Sequence, residues 1–361
     1  MRAPLGAVIV AGLALAGSAS AQPRRAPAVG CSAAHHTLVV ADADGIDATA
    51  APALVFVGEG AVAVWRARSG ALRLAAFDAA WRPLGATREL CREGGAFALV
   101  GGPAGASVAY VERGRELTLA RVNARGEAQN VPRLLVRGDG ALREVVLTRT
   151  DAGSLVVWRD DLGLTRALAL DARAVPRGAV STVGGARSLH LGWLPMQGVA
   201  SLVHDPALPS DEPALVSLSA SGEVMARLRW PVATAGPFEL PVGLAAAQIT
   251  LGGLPTLLRV PPGGAALAAP EAGVRERFTI VAAASDGAGA AVVYHDATTG
   301  RMLAARVAES GVAATPAVVR TGPLVPASVS VRGDGDVVVT HRESGAHGGA
   351  RVVATRVTCR R

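Results

Sequence analysis

Three arginines and three histidines recur at one place in this sequence. Arg66, Val111, Arg159, His204, Arg259, His295 and His341 each stand six residues after a glycine, at Gly60, Gly105, Gly153, Gly198, Gly253, Gly289 and Gly335, with an apolar run between. Arginine offers a rigid fork of donors that matches carboxylates and phosphates. Imidazole moves protons near neutral pH or ligates a metal. If these positions converge, Arg66, Arg159, His204, Arg259, His295 and His341 form a ligand-binding ring for an anion such as a carboxylated sugar or a phosphate. His204, His295 and His341 are then the acid–base candidates. If they do not converge, each is a strand-end residue bonded to carbonyls or to acids such as Asp205 and Asp296. No further catalytic residue is assigned. No metal site is expected either, because imidazoles from separate segments would have to meet within coordination reach.

Other chemistry is excluded by what is missing. All 36 basic residues are arginine. Without lysine there is no phosphate-binding G-x-x-x-x-G-K-[ST] loop and no Schiff-base chemistry, and no cofactor is expected. The arginines are scattered among 29 acids rather than gathered in a stripe, and aromatics make up 3% of residues, so nucleic acid is not expected as a partner. Cys-x-x-Cys, His-Glu-x-x-His and Gly-x-Ser-x-Gly do not occur. Asp42-Ala43-Asp44-Gly45-Ile46-Asp47 opens like a calcium loop but lacks the distal bidentate acid, and a turn explains it equally well. His35 and His36 are expected to be solvent exposed.

The elements that must position the ring are repeats. The seven glycines are separated by 45, 48, 45, 55, 36 and 46 residues, a mean of about 46, near the length of a four-stranded propeller blade. An apolar strand leads to each glycine turn, as in Thr279 to Ala284, and a second strand leaves it as a continuous apolar run, as in Gly153 to Trp158. Such a run fits a strand covered on both faces. Third strands such as Leu117 to Val122 and Met302 to Val307, and fourth strands such as Pro316 to Arg320, complete most units. The fold class is therefore all-β, a seven-bladed β-propeller. The unit around Gly253 is short and rich in proline, so six blades with an irregular insertion is the alternative.

Ring closure is expected at the chain ends. The last unit supplies three strands, and Thr37 to Ala41 is available as its fourth. Docked antiparallel to Arg351 to Thr358, that strand brings Cys31 to Cys359 and predicts a disulfide between them, with Cys31–Cys91 as the rival pairing. Upstream, a basic start, an apolar run from Leu5 to Gly17 and Ala19-Ser20-Ala21 read as a signal peptide over residues 1–21, cleaved near Ala21. Residues 22–361 then form a single propeller domain, periplasmic or secreted. No other stretch is long and apolar enough to span a membrane. A lipid anchor on Cys31 is not expected, since Pro23, Arg24, Arg25 and Pro27 separate it from the apolar run.

The repeat resembles that of secreted β-propeller proteins in general, over nearly the whole mature chain. Trp-Asp pairs are absent, the doublets Gly101-Gly102 and Gly184-Gly185 do not stand where Kelch repeats place theirs, and no S-x-D-x-G-x-x-W box occurs. The resemblance implies a fold and no activity. The functional expectation is a non-catalytic binding or scaffold module, a monomer, that recognises a protein, glycan or other surface ligand through one face. The alternative is a propeller hydrolase or lyase acting on an anionic glycan-like substrate.

Overall fold

A glycine turn between two apolar runs makes a hairpin, and hairpins with both faces apolar must be covered on both sides. The computed structural model answers that need with antiparallel sheets packed face to face. It describes residues 30–41, 45–185, 189, 191–194, 199–203, 214–229, 235–240, 243–259, 273–285, 288–311, 313–332, 336–344 and 350–359. These residues form seven sheets. Blade one comprises Ala53–Val57, Gly60–Arg66, Leu72–Phe77 and Arg88–Cys91, running from the inner strand outward. Blade two repeats the order with Gly94–Gly102, Gly105–Glu112, Glu116–Val122 and Arg133–Arg137, and blade three with Leu142–Thr150, Gly153–Asp160, Leu164–Asp171 and Ser181–Gly185. The first strand of every blade touches the first strand of the next, and that of blade seven, Ala327–Val331, touches Ala53–Val57 of blade one. This closes the ring of a seven-bladed β-propeller.

Its core is a set of inter-blade layers rather than one central mass. Trp65, Val64 and Leu72 of blade one, Tyr110 of blade two, Trp158 of blade three and Tyr294 of blade six are all buried in such layers. The second strand of blade six, Gly289–Asp296, is buried along its whole length, as its apolar run from Ala290 to Tyr294 requires.

The recurring glycine has a steric cause. A Cβ on Gly60, Gly105, Gly153 or Gly289 would fall far inside van der Waals contact with the carbonyl oxygen of Phe77, Val122, Leu170 or Val307, near the end of the third strand of the same blade. Gly153 also holds a φ of 148°. Gly153→Ala is expected to destabilise the protein by about 1–3 kcal/mol through overpacking. The shift of the urea midpoint at unchanged m value measures it.

In blade five the second strand is Gly243–Ile249, between Ala235–Leu240 and Pro255–Arg259. Gly253 therefore does not open a second strand; it sits at φ 75° in the turn leading into the third. With Gly243 in the frame the intervals become 45, 48, 45, 45, 46 and 46, and the apparent irregularity disappears. Seven blades stand, not six.

The last blade is completed by the N-terminal strand Cys31–Ala41, antiparallel to Ala350–Cys359, with Cys31 opposite Cys359. These two cysteines form a disulfide, with Cα atoms 4.0 Å apart. Cys91 is free and buried, and burial pushes its thiol up to about 11. The Cys31–Cys91 pairing is thereby ruled out.

Candidate functional site

The ring positions lie at the far end of each second strand from its glycine. Arg66 donates from Nε to Asp47 Oδ2 at 2.8 Å and from a terminal nitrogen to Thr49 Oγ1 at 2.8 Å. Burial raises the Asp47 carboxyl, but the Thr49 backbone and hydroxyl donors and the Arg66 guanidinium outweigh it and hold it below the usual value. Asp47 is thus the partner of Arg66; Asp42 to Asp44 of the calcium-like stretch lie outside the described residues. Arg159 pairs with Glu144 at 3.1 Å, and Glu144 also accepts the Leu189 N–H at 2.9 Å. Val111 is fully buried.

In blade five the corresponding residue is Ile249, buried at 3% exposure, and not Arg259. Arg259 ends the third strand of that blade, because the glycine six residues before it is a turn glycine. His295 is 9% exposed, with Nε2 3.2 Å from the Gly322 carbonyl. His341 is fully buried and neither ring nitrogen has a hydrogen-bond partner among the described residues. His204 and Asp205 lie outside the described residues. Among the described members no two share a hydrogen bond or ion pair; each is bonded within its surroundings or sealed in the core. Asp296, read as a possible partner of a ring histidine, instead pairs with Arg277 at 3.2 Å. Among the described residues no cluster of three or more His, Cys, Asp or Glu side chains could hold a metal.

The opposite, glycine-bearing end holds a feature the repeat pattern does not announce. Between blades two and three lies a cavity of about 220 Å³ whose lining includes Gly101, Gly102, Arg121, Arg149, Asp151 and Asp171. Arg121, on the third strand of blade two, reaches across the seam and donates to the Ala172 carbonyl of blade three at 3.2 Å. Arg149, on the inner strand of blade three, reaches back and donates to the Gly101 carbonyl at 3.4 Å. Neither is in an ion pair among the described residues, so most donors of two guanidiniums remain available at the cavity wall. Asp171 accepts the N–H groups of Arg173 and Val175 through one oxygen, at 2.8 Å each. Those turn donors, led by Val175 and together stronger than the opposing effect of burial, hold its carboxyl below the usual value. Asp151 makes no hydrogen bond among the described residues.

The groove residues are spread over the inner and third strands of two units and the turns beside them, so no motif joins them. The signal in the sequence was Gly102 of the Gly101-Gly102 doublet, which leaves room at a strand end for an arginine of the next unit.

No protein-family model matches this sequence, and no curated protein sequence does. Solved structures share the fold. The BP39L lectin from Burkholderia pseudomallei is 13% identical, with a TM-score of 0.57 over 84% of this chain and 95% of that one. A chain of the mitotic checkpoint complex is 11% identical, with a TM-score of 0.53 over 98% and 99%. The Dos1 propeller is 12% identical, with a TM-score of 0.51 over 84% and 76%. At such identities the likeness establishes a β-propeller fold and nothing finer.

Proposed function

We propose that this chain is an exported, non-catalytic binding propeller that takes its ligand at the glycine-bearing end of blades two and three. The observation that carries this reading is the groove with its two seam-crossing guanidiniums, which among the described residues bond to carbonyls and to no acid. A concave site with a few converging polar groups is the usual form of a ligand pocket. A lectin and a member of a multiprotein assembly among the structural neighbours accord with binding as the use of the fold. The disulfide, the A-x-A site after the N-terminal apolar run and the lack, among the described residues, of a helix long and apolar enough to cross a membrane support export to the periplasm or medium. The hydrolase or lyase alternative draws no comparable support, since its described candidates, His295 and His341, are bonded to a carbonyl and sealed in the core.

The test is capture on glycan and peptide arrays by the disulfide-bonded protein, wild type against an Arg121→Gln/Arg149→Gln double variant. Each exchange removes a charged hydrogen bond, so bound signal is expected to fall about tenfold or more, with the thermal midpoint shifted by only a few degrees. Equal array profiles for the two proteins would defeat the assignment of the groove as the binding site.

A further inference from the structure

At the seam between blades two and three a strand end lacks the side chain that its counterpart in blade one carries. In blade one, Val57 pairs with Gly60 at the hairpin turn; in blade two, Gly102 holds that place opposite Gly105. Phe56 of blade one therefore corresponds to Gly101 of blade two. Phe56 fills its own seam and stacks edge-on against Trp81, with ring centroids 6.2 Å apart. A Cβ on Gly101 would collide with the Phe56 carbonyl of blade one, so that glycine serves close packing in the preceding seam, whereas on Gly102, where blade one has the buried Val57, a Cβ would collide with the Arg149 guanidinium. Gly102 thus lets Arg149 lie against backbone at the wall of the groove.

Charge and size then narrow the occupant. The wall offers two cationic forks, Arg121 and Arg149, and two carboxylates, Asp151 and Asp171, so its formal charge is balanced. A polyanion or a dianionic phosphate would meet the two carboxylates as well as the arginines. An apolar ligand would strip water from all four charges without replacing their hydrogen bonds. A ring with one acidic group and several hydroxyls satisfies both signs: the anion accepts from arginine, and hydroxyls donate to aspartate. About 220 Å³ lies below the roughly 300–1,000 Å³ of pockets that enclose drug-sized ligands, which suits a single ring. We infer that this groove binds one acidic sugar residue, a hydroxylated ring bearing a single carboxylate or sulfate, an inference that rests on the binding reading above.

Titration of the disulfide-bonded full chain with glucuronic acid, glucose 6-sulfate, glucose and acetylglycine, followed by ligand-observed saturation-transfer NMR, tests it. Binding of glucuronic acid or glucose 6-sulfate is expected at least tenfold tighter than that of glucose, and the stronger of the two acids names the source of the charge. Arg121→Gln and Arg149→Gln are each expected to weaken the acid sugar about tenfold and leave glucose unchanged. Asp151→Asn, which breaks no hydrogen bond or ion pair among the described residues, is expected to weaken it severalfold. Glucose binding as tightly as the acids would overturn the inference and leave the binding reading intact. So would acetylglycine matching glucuronic acid with the same arginine dependence, which would make the ligand a peptide carboxylate, and so would unchanged affinity in Asp151→Asn. No binding by any of the four probes also overturns it, and the array comparison then decides the binding reading by itself.

Discussion

A Cys31→Ser/Cys359→Ser double variant is expected to lose about 5 kcal/mol of stability, because the bond it removes closes a loop spanning 328 residues and so withdraws loop entropy from nearly the whole unfolded chain. The position of the bond adds to the effect. The N-terminal strand Cys31–Ala41 is held to blade seven by its ladder with Ala350–Cys359, and against blade six by a short parallel bridge from Gly30 to Thr315 and by the apolar packing of Ala33. Without the bond, that strand pairs at a cost in chain entropy that the disulfide had already met. Urea unfolding of oxidised wild type and double variant measures the difference. Equal midpoints would show that the ladder alone closes the ring. In the oxidised wild type a thiol reagent is expected to label nothing until unfolding, since Cys91 is buried and its thiol is raised to about 11.

Acid is expected to remove about 3 kcal/mol through one side chain. Burial lowers the His341 imidazole from 6.5 to about 4; Glu343 opposes the shift and Arg320 adds to it. The folded protein therefore keeps His341 neutral where the unfolded chain protonates it. This contribution is fully present above pH 6.5, falls as pH drops through 6.5 toward 4, and is lost below about 4. At about 1.36 kcal/mol per pKa unit the total is about 3 kcal/mol. Carboxylates held below their usual values, such as Asp47 and Asp171, act in a lower window, so the two effects separate on the pH axis. His341→Leu removes two buried nitrogens without partners, and replacing them with apolar surface is expected to leave stability at pH 7 equal or higher. It is also expected to flatten the curve between pH 6.5 and 4. A slope there that persists in His341→Leu would refute the assignment.

The architecture was legible because its causes are local or repeat along the chain. The glycines of units one, two, three and six answer a clash that recurs with the third-strand carbonyl, and the unbroken apolar runs answer coverage on both faces. The seven units and the Cys31–Cys359 closure follow from those two facts. The slip at Gly253 has the same origin: a glycine needed for close backbone approach, such as Gly289, and one needed for positive φ, such as Gly253, look alike in sequence. Leu258 also gives the wrong frame a bulky residue where the right one has Gln248.

The site was not legible, for a different reason. Sequence placed Arg66, Arg159, His295 and His341 at equivalent strand ends, but equivalence around a ring does not decide whether a side chain faces a ligand, a neighbouring acid or the core. Asp47, Glu144 and the Gly322 carbonyl took three of them, and packing sealed the fourth. The groove depends on residues at unequal positions, an inner-strand arginine of one blade and a third-strand arginine of another, meeting over a strand end without side chains. Periodicity along the chain sets what repeats; only blade-to-blade packing brings together what does not, and in this protein the candidate chemistry lies in the part that does not repeat.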